Sequence, residues 1–157
     1  MTSLCLILPS LLFLSPYESK VACRYESEIV RHASVYELDP LLVSAVIFVE
    51  SSFNPSVVSH ADACGLMQIV PKWTGDKETG GIKYNCDQLK DPETSIRVGT
   101  RILSYAISHY GKGDVRRGLC YYNAGTKCLR NNDYYKKLHY VNKVLAVRDK
   151  IKRKINR

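Results

Sequence analysis

The chain has 157 residues, 45% of them apolar, with a formal charge of +8 and a pI of about 9.2. That length suits one ordinary domain with a real core, and nine glycines and six prolines exclude a collagen-like or low-complexity chain. The basic balance favours anionic partners such as nucleic acid, membrane headgroups or a bacterial cell wall, and fixes no fold.

Residues 3–14 read Ser-Leu-Cys-Leu-Ile-Leu-Pro-Ser-Leu-Leu-Phe-Leu, the apolar part of a signal-like segment and too short for a membrane span of about 20 residues. Residues 1–22 are therefore set apart as a signal-like N-terminus, and the expected location is exported, periplasmic or extracellular. No Lys or Arg precedes the apolar run. Ala22 before Cys23 is a weak lipid-anchor signal, and Lys20 opposes it. Residues 23–157 read as one domain with a basic C-terminal tail and no internal repeat.

From residue 24 the signals are helical. Ile29, Val30, Ala33 and Tyr36 recur at helical spacing over 24–37. Asp39-Pro40 is an N-cap followed by proline at the first helical position, and opens a helix from Leu41 to about Ser51. That helix is apolar nearly all round, so it is expected to be central and buried. Residues 52–90 are loop-rich, with room for short helical turns and a small hairpin. Asp91-Pro92 repeats the cap and opens a helix stopped by Gly111; Asp114 caps another, from Val115 to about Tyr122. A helix from about Asp133 and a longer one over Tyr140–Lys154 complete the chain. No stretch alternates like a strand over five residues, so the fold is read as mainly α.

Six cysteines are many for so short a chain, and none shows zinc-finger spacing. Disulfides in an oxidising compartment fit better. Cys120 with Cys128, flanking a turn, and Cys64 with Cys86 are the candidate pairs. Removal of Cys5 with the signal-like segment would leave an odd thiol. Arg148, Lys150, Lys152, Arg153, Lys154 and Arg157 crowd the C-terminus, either as a solvated helix end at the negative pole of its dipole or as a polyanion-binding tail.

Glu50 is the residue that chemistry selects. It closes an oily helix, where desolvation and the helix dipole both raise a carboxyl pKa, and a carboxyl protonated near neutrality is what a general acid requires. Its rival reading is a side chain that simply reaches solvent. Gly65 is read as a place where backbone could approach a ligand, and Gln68 as a two-way hydrogen-bonding group in an apolar stretch. Met67 and Ile69 are candidates for core or groove. Tyr121-Tyr122-Asn123-Ala124-Gly125 follows, and eleven tyrosines against three phenylalanines suit a sugar site, where rings meet sugar faces and amides meet hydroxyls.

The series Glu50-Ser51-Ser52-Phe53-Asn54-Pro55, Gly65-Leu66-Met67-Gln68-Ile69 and Tyr122-Asn123-Ala124-Gly125 resembles the soluble lytic transglycosylase catalytic domain, of goose-lysozyme-like fold. The resemblance runs from about Cys23 to Leu145. Asp91-Pro92-Glu93-Thr94-Ser95-Ile96 with Gly99 is similar to that family's next helix, and Tyr140-Val141 with Lys143-Val144-Leu145 to its closing segment. Two positions depart: Tyr121 stands where the family usually has Ala, and Cys64 where it often has a small or polar residue.

The resemblance implies cleavage of the β-1,4 bond between N-acetylmuramic acid and N-acetylglucosamine, leaving a 1,6-anhydro end. Glu50 would act as acid and then base, assisted by the substrate's acetamido oxygen and with no second carboxylate required. It further implies that Ser51 orients Glu50 or a sugar, with a helix-end back-bond as equal rival. Gln68 and Asn123 would donate to the glycan, Tyr122 would bond near the reacting acetamido group, and Met67 and Tyr140 would line the groove, with Gly65 and Ile69 in the same binding stretch. No metal or other cofactor is expected. The implied partners are peptidoglycan strands and a secretion, conjugation or phage assembly, with the protein a monomer and no nucleic acid bound. The alternatives are a goose-type lysozyme hydrolysing the same bond, which needs a second acid such as Asp62, Asp76, Glu78 or Asp87, and a non-catalytic wall-binding assembly protein.

Overall fold

The computed structural model describes residues 20, 23–130 and 138–155. The architecture is mainly α, as the periodicities predict. Its elements are α1 (Glu26–Val35), α2 (Pro40–Ser51), a 3-10 turn (Pro71–Trp73), α3 (Cys86–Lys90), α4 (Pro92–Tyr105), a π-helical segment (Ala106–Tyr110), α5 (Val115–Ala124), α6 (Lys127–Arg130) and α7 (His139–Ile155).

Helix α2 is the buried centre. The Asp39 carboxylate accepts from the Leu41 backbone N–H at 2.9 Å and Pro40 takes the first position, so the start is fixed by the expected cap. Every residue from Leu42 to Ile47 is buried. Helix α7 is its principal neighbour and turns Val141, Val144, Val147 and Ile151 into the same core. The end of α2 is abrupt. Ser52 and Phe53 both adopt left-handed backbone (φ 50° and 60°), which is costly for side-chain-bearing residues. The turn folds Phe53 back into the core, where it is 1% exposed.

The loop-rich stretch is as expected, and its hairpin is only two isolated bridges, Val58 with Cys64 and Cys64 with Ile69. A Cys64–Cys86 disulfide ties it to the start of α3. Helix α4 starts on the predicted cap, Asp91 accepting from Thr94 N–H at 2.9 Å. The helix does not run unbroken to Gly111. It widens into the π-helical segment, closed by a Gly111 N–H to Ala106 carbonyl bond of 2.8 Å. Asp114 caps α5 through the Arg116 and Arg117 N–H groups. Gly118 lets α5 approach the π segment, since a Cβ there would lie 2.4 Å from Ile107 Cγ1.

After Gly125 the chain forms α6, which periodicity did not reveal, and the expected Cys120–Cys128 disulfide joins α5 to it. No described cysteine is free. The helix expected from Asp133 and most of the signal-like segment lie outside the described residues. Among the described residues no helix is long and apolar enough to cross a membrane.

Candidate active site

Glu50 occupies the last turn of α2, and the first turn of α7 lies against it. The Tyr140 hydroxyl donates to Glu50 Oε1 at 2.6 Å. Burial pushes the Glu50 carboxyl up to about 7, while the Tyr140 hydrogen bond and the nearby Lys143 ammonium pull it down. The carboxyl is therefore about half protonated at neutral pH, able both to give and to take a proton. Burial, and then the neighbouring Glu50 charge, hold the Tyr140 and Tyr122 phenols well above their ordinary range, so both stay protonated donors.

A tight turn, Gly65 to Gln68, sits across from the end of α2. The Ser51 hydroxyl lies 2.8 Å from the Leu66 carbonyl and 3.1 Å from the Ile47 carbonyl, sharing one proton between them. The helix-end back-bond is thus formed, and the same hydroxyl seats the turn on the helix. The Gln68 amide donates to the Gly65 and Val57 carbonyls (2.9 and 3.1 Å), which leaves its oxygen as the unused half of the group. Tyr122 donates to the Met67 carbonyl at 2.7 Å and fixes the turn from the α5 side.

Burial decides between the core and groove readings of this turn's side chains, and packing explains its glycine. Gly65 is required by its own chain, because a Cβ there would lie 1.9 Å from the Leu89 carbonyl oxygen. The close approach that demands a glycine there is to the backbone of α3. Met67 does not line a groove. Its side chain is fully buried against Gly99, and the Thr100 hydroxyl lies 3.8 Å from its sulfur, so only its backbone belongs to the turn. Ile69 is likewise core at 5% exposure, and its backbone pairs with Cys64. Asn123 is exposed beside Tyr122. The structure thus brings Glu50, Tyr140, Tyr122 and the Gly65–Gln68 backbone together, and gives Ser51, Met67 and Ile69 to the scaffold.

A second group forms around Glu78, which the sequence offered only as a second acid for the hydrolytic alternative. Tyr121 stacks on Tyr110 with ring centroids 3.7 Å apart, and its hydroxyl lies 3.2 Å from Glu78 Oε1. The other signal that pointed there was the tyrosine at position 121.

The model of the Transglycosylase SLT domain family matches residues 28–143. A membrane-bound lytic murein transglycosylase C of Photorhabdus laumondii is 40% identical over 88 residues, 52% of this chain and 24% of that protein. Its counterpart in Sodalis glossinidius is 38% identical over 101 residues, 61% of this chain and 28% of that protein. The chain thus spans about a quarter of the length of these relatives. The 70 kDa soluble lytic transglycosylase of Escherichia coli superposes with a TM-score of 0.68 at 28% identity, over 83% of this chain and 24% of that one. The lytic transglycosylase Slt of Pseudomonas aeruginosa shares the fold with a TM-score of 0.70 at 22% identity, over 95% of this chain and 27% of that one.

Proposed function

The chain belongs to the Transglycosylase SLT domain family, and from that premise we propose that it is a lytic transglycosylase of peptidoglycan with Glu50 as its single acid and base. The observation that carries this reading is the Glu50 carboxyl itself, desolvated at the end of α2, raised to about 7 and gripped by Tyr140 at 2.6 Å. Protonated, it gives its proton to the glycosidic oxygen between N-acetylmuramic acid and N-acetylglucosamine. The substrate's acetamido oxygen supports the developing positive charge on C1. The carboxylate left behind keeps the Tyr140 hydrogen bond, and then takes the proton of the C6 hydroxyl as that oxygen closes on C1. The product carries a 1,6-anhydro end and no water is consumed.

Hydrolysis with inversion would call for a second carboxylate about 6.5–9.5 Å away to activate water. The four loop acids offer little support for that role. Asp62 and Asp87 are exposed and Asp76 accepts from the Glu78 and Thr79 N–H groups; Glu78, half-buried and bonded by Tyr121, is the one of the four whose mutation must leave the cleavage rate intact. A substrate in the cell wall calls for export, for which residues 1–22 are the candidate signal.

The test is digestion of purified peptidoglycan by the protein and by Glu50→Gln, followed by mass spectrometry. The expected fragments lack one water relative to hydrolysis products, and Glu50→Gln should lose at least about a hundredfold in rate. Cleavage at full rate by Glu50→Gln would overturn the assignment, and hydrated ends would make the protein a lysozyme.

A further inference from the structure

Beyond Glu50, three separate elements meet at a second polar centre. The π segment supplies Tyr110, α5 supplies Tyr121, and the loop between the 3-10 turn and α3 supplies Glu78. All three residues are half-buried, so they are held in place and still reachable. The π segment helps to build this arrangement. Its wider turn rephases the end of the helix, and Tyr110 lands face to face with Tyr121 at an interplanar angle of 18°. Such bulges are frequent at functional sites. His109 and Tyr105 extend the aromatic surface, His109 packing edge-on to Tyr110 with centroids 4.8 Å apart.

The chemistry of the centre is lopsided. The Tyr110 and Tyr121 hydroxyls and the Glu78 carboxyl form one hydrogen-bonded group. Two phenol protons serve it, whereas the carboxyl alone has about four acceptor positions. The Arg101 guanidinium does not take up the surplus, because it bonds the backbone carbonyls of Glu78 and Lys77 instead, and His109 also lies near enough to act on Glu78. The fitting ligand presents hydroxyl and amide donors beside an apolar face. An N-acetylhexosamine ring, with its hydroxyls, its amide N–H and its apolar face, meets these terms.

The location is suitable. Tyr121 directly precedes Tyr122, and consecutive side chains on a helix diverge by about 100°. Tyr122 reaches the turn facing Glu50, so Tyr121 marks ground beside the cleavage centre and distinct from it. We propose that Tyr110, Tyr121 and Glu78 form an accessory subsite for an N-acetylhexosamine ring of a glycan strand whose scissile bond lies at Glu50. This rests on the glycan-cleaving reading above.

The test uses the full chain carrying Glu50→Gln, titrated with the hexamer of β-1,4-linked N-acetylglucosamine. The ring resonances of Tyr110 and Tyr121 are expected to shift together with that of Tyr140. Tyr121→Ala should weaken hexamer binding about tenfold, and Tyr121→Phe, which keeps the stack, should weaken it less. Hexamer binding that moves Tyr140 but leaves Tyr110 and Tyr121 unmoved overturns the subsite and spares the reading of Glu50. So does a folded Tyr121→Ala chain that binds as its parent does, and so does failure of the hexamer to bind. Cleavage of the hexamer by the Glu50→Gln chain overturns the reading of Glu50 instead.

Discussion

Glu50 is held in its protonated form at a cost in stability, and the sign of that cost is testable. Its carboxyl titrates at about 7 in the folded chain against 4.5 for an ordinary glutamate. Well below 4.5 both folded and unfolded states hold the proton, and no penalty arises. Between the two values the unfolded chain ionises while the folded one resists, so stability falls as pH rises, and above about 7 the full penalty stands. The shift corresponds to a penalty on the order of 3 kcal/mol. Glu50→Gln keeps an acceptor for Tyr140 and removes the charge. It should therefore melt higher than the parent at about pH 8 and show little difference near pH 4. Equal midpoints at both pH values would mean that the carboxyl is not desolvated in solution. Tyr140 tunes the same group in the opposite sense, since its hydroxyl favours the ionised form. Tyr140→Phe should raise the Glu50 pKa further and move the alkaline limb of the cleavage rate to higher pH. A limb that stays put would detach Tyr140 from the titration.

Among the elements, what was legible in the sequence follows from whether a signal is local. Asp39-Pro40, Asp91-Pro92 and Asp114 each place a cap within three residues of the N–H groups it satisfies, so three helix starts could be read directly. The π segment could not, because a bond from Gly111 to Ala106 instead of Ile107 leaves the apolar spacing almost unchanged. Helix α6 has four residues, too few for any period to show. The pairing of Glu50 with Tyr140 spans 90 positions, and only packing of α7 on α2 creates it. At Gly65 the sequence shows only that backbone must come close to something, and the packing against Leu89 is visible only in three dimensions. The Cys64–Cys86 bridge spans 22 residues and pins the turn facing Glu50 to α3. Replacing both cysteines with serine should cost about 3 kcal/mol of stability. It should also lower activity more than an equal loss of stability elsewhere, measured well below the melting temperature. Unchanged activity in the folded double variant would show that the turn keeps its place without the bridge.

At the scale of the whole molecule, the charge is what the catalytic centre does not explain. The formal charge is +8, and α7 ends on Lys152, Arg153 and Lys154, with Lys152 and Arg153 exposed. Arg148 is paired with Asp149 at 2.8 Å and adds less to the far field. This end of α7 is about three turns, roughly 18 Å, from Tyr140, so its cations act on approach to a substrate and not on the chemistry. With the substrate proposed above, a net charge of this sign would draw the protein to an anionic wall, and long-range attraction of this kind raises association rates by factors of about 10–1,000. Screening limits its reach to about 8 Å at physiological ionic strength and about 3 Å at 1 M. The rate on intact, insoluble peptidoglycan should therefore fall about tenfold as salt is raised over that range. The rate on neutral N-acetylglucosamine oligomers, where cleaved, should stay nearly level. Lys152→Glu with Arg153→Glu should reproduce the high-salt behaviour at low salt, with the oligomer rate unchanged. If both substrates respond to salt alike, the charge acts near Glu50 and the α7 terminus has no part in delivering the enzyme to the wall.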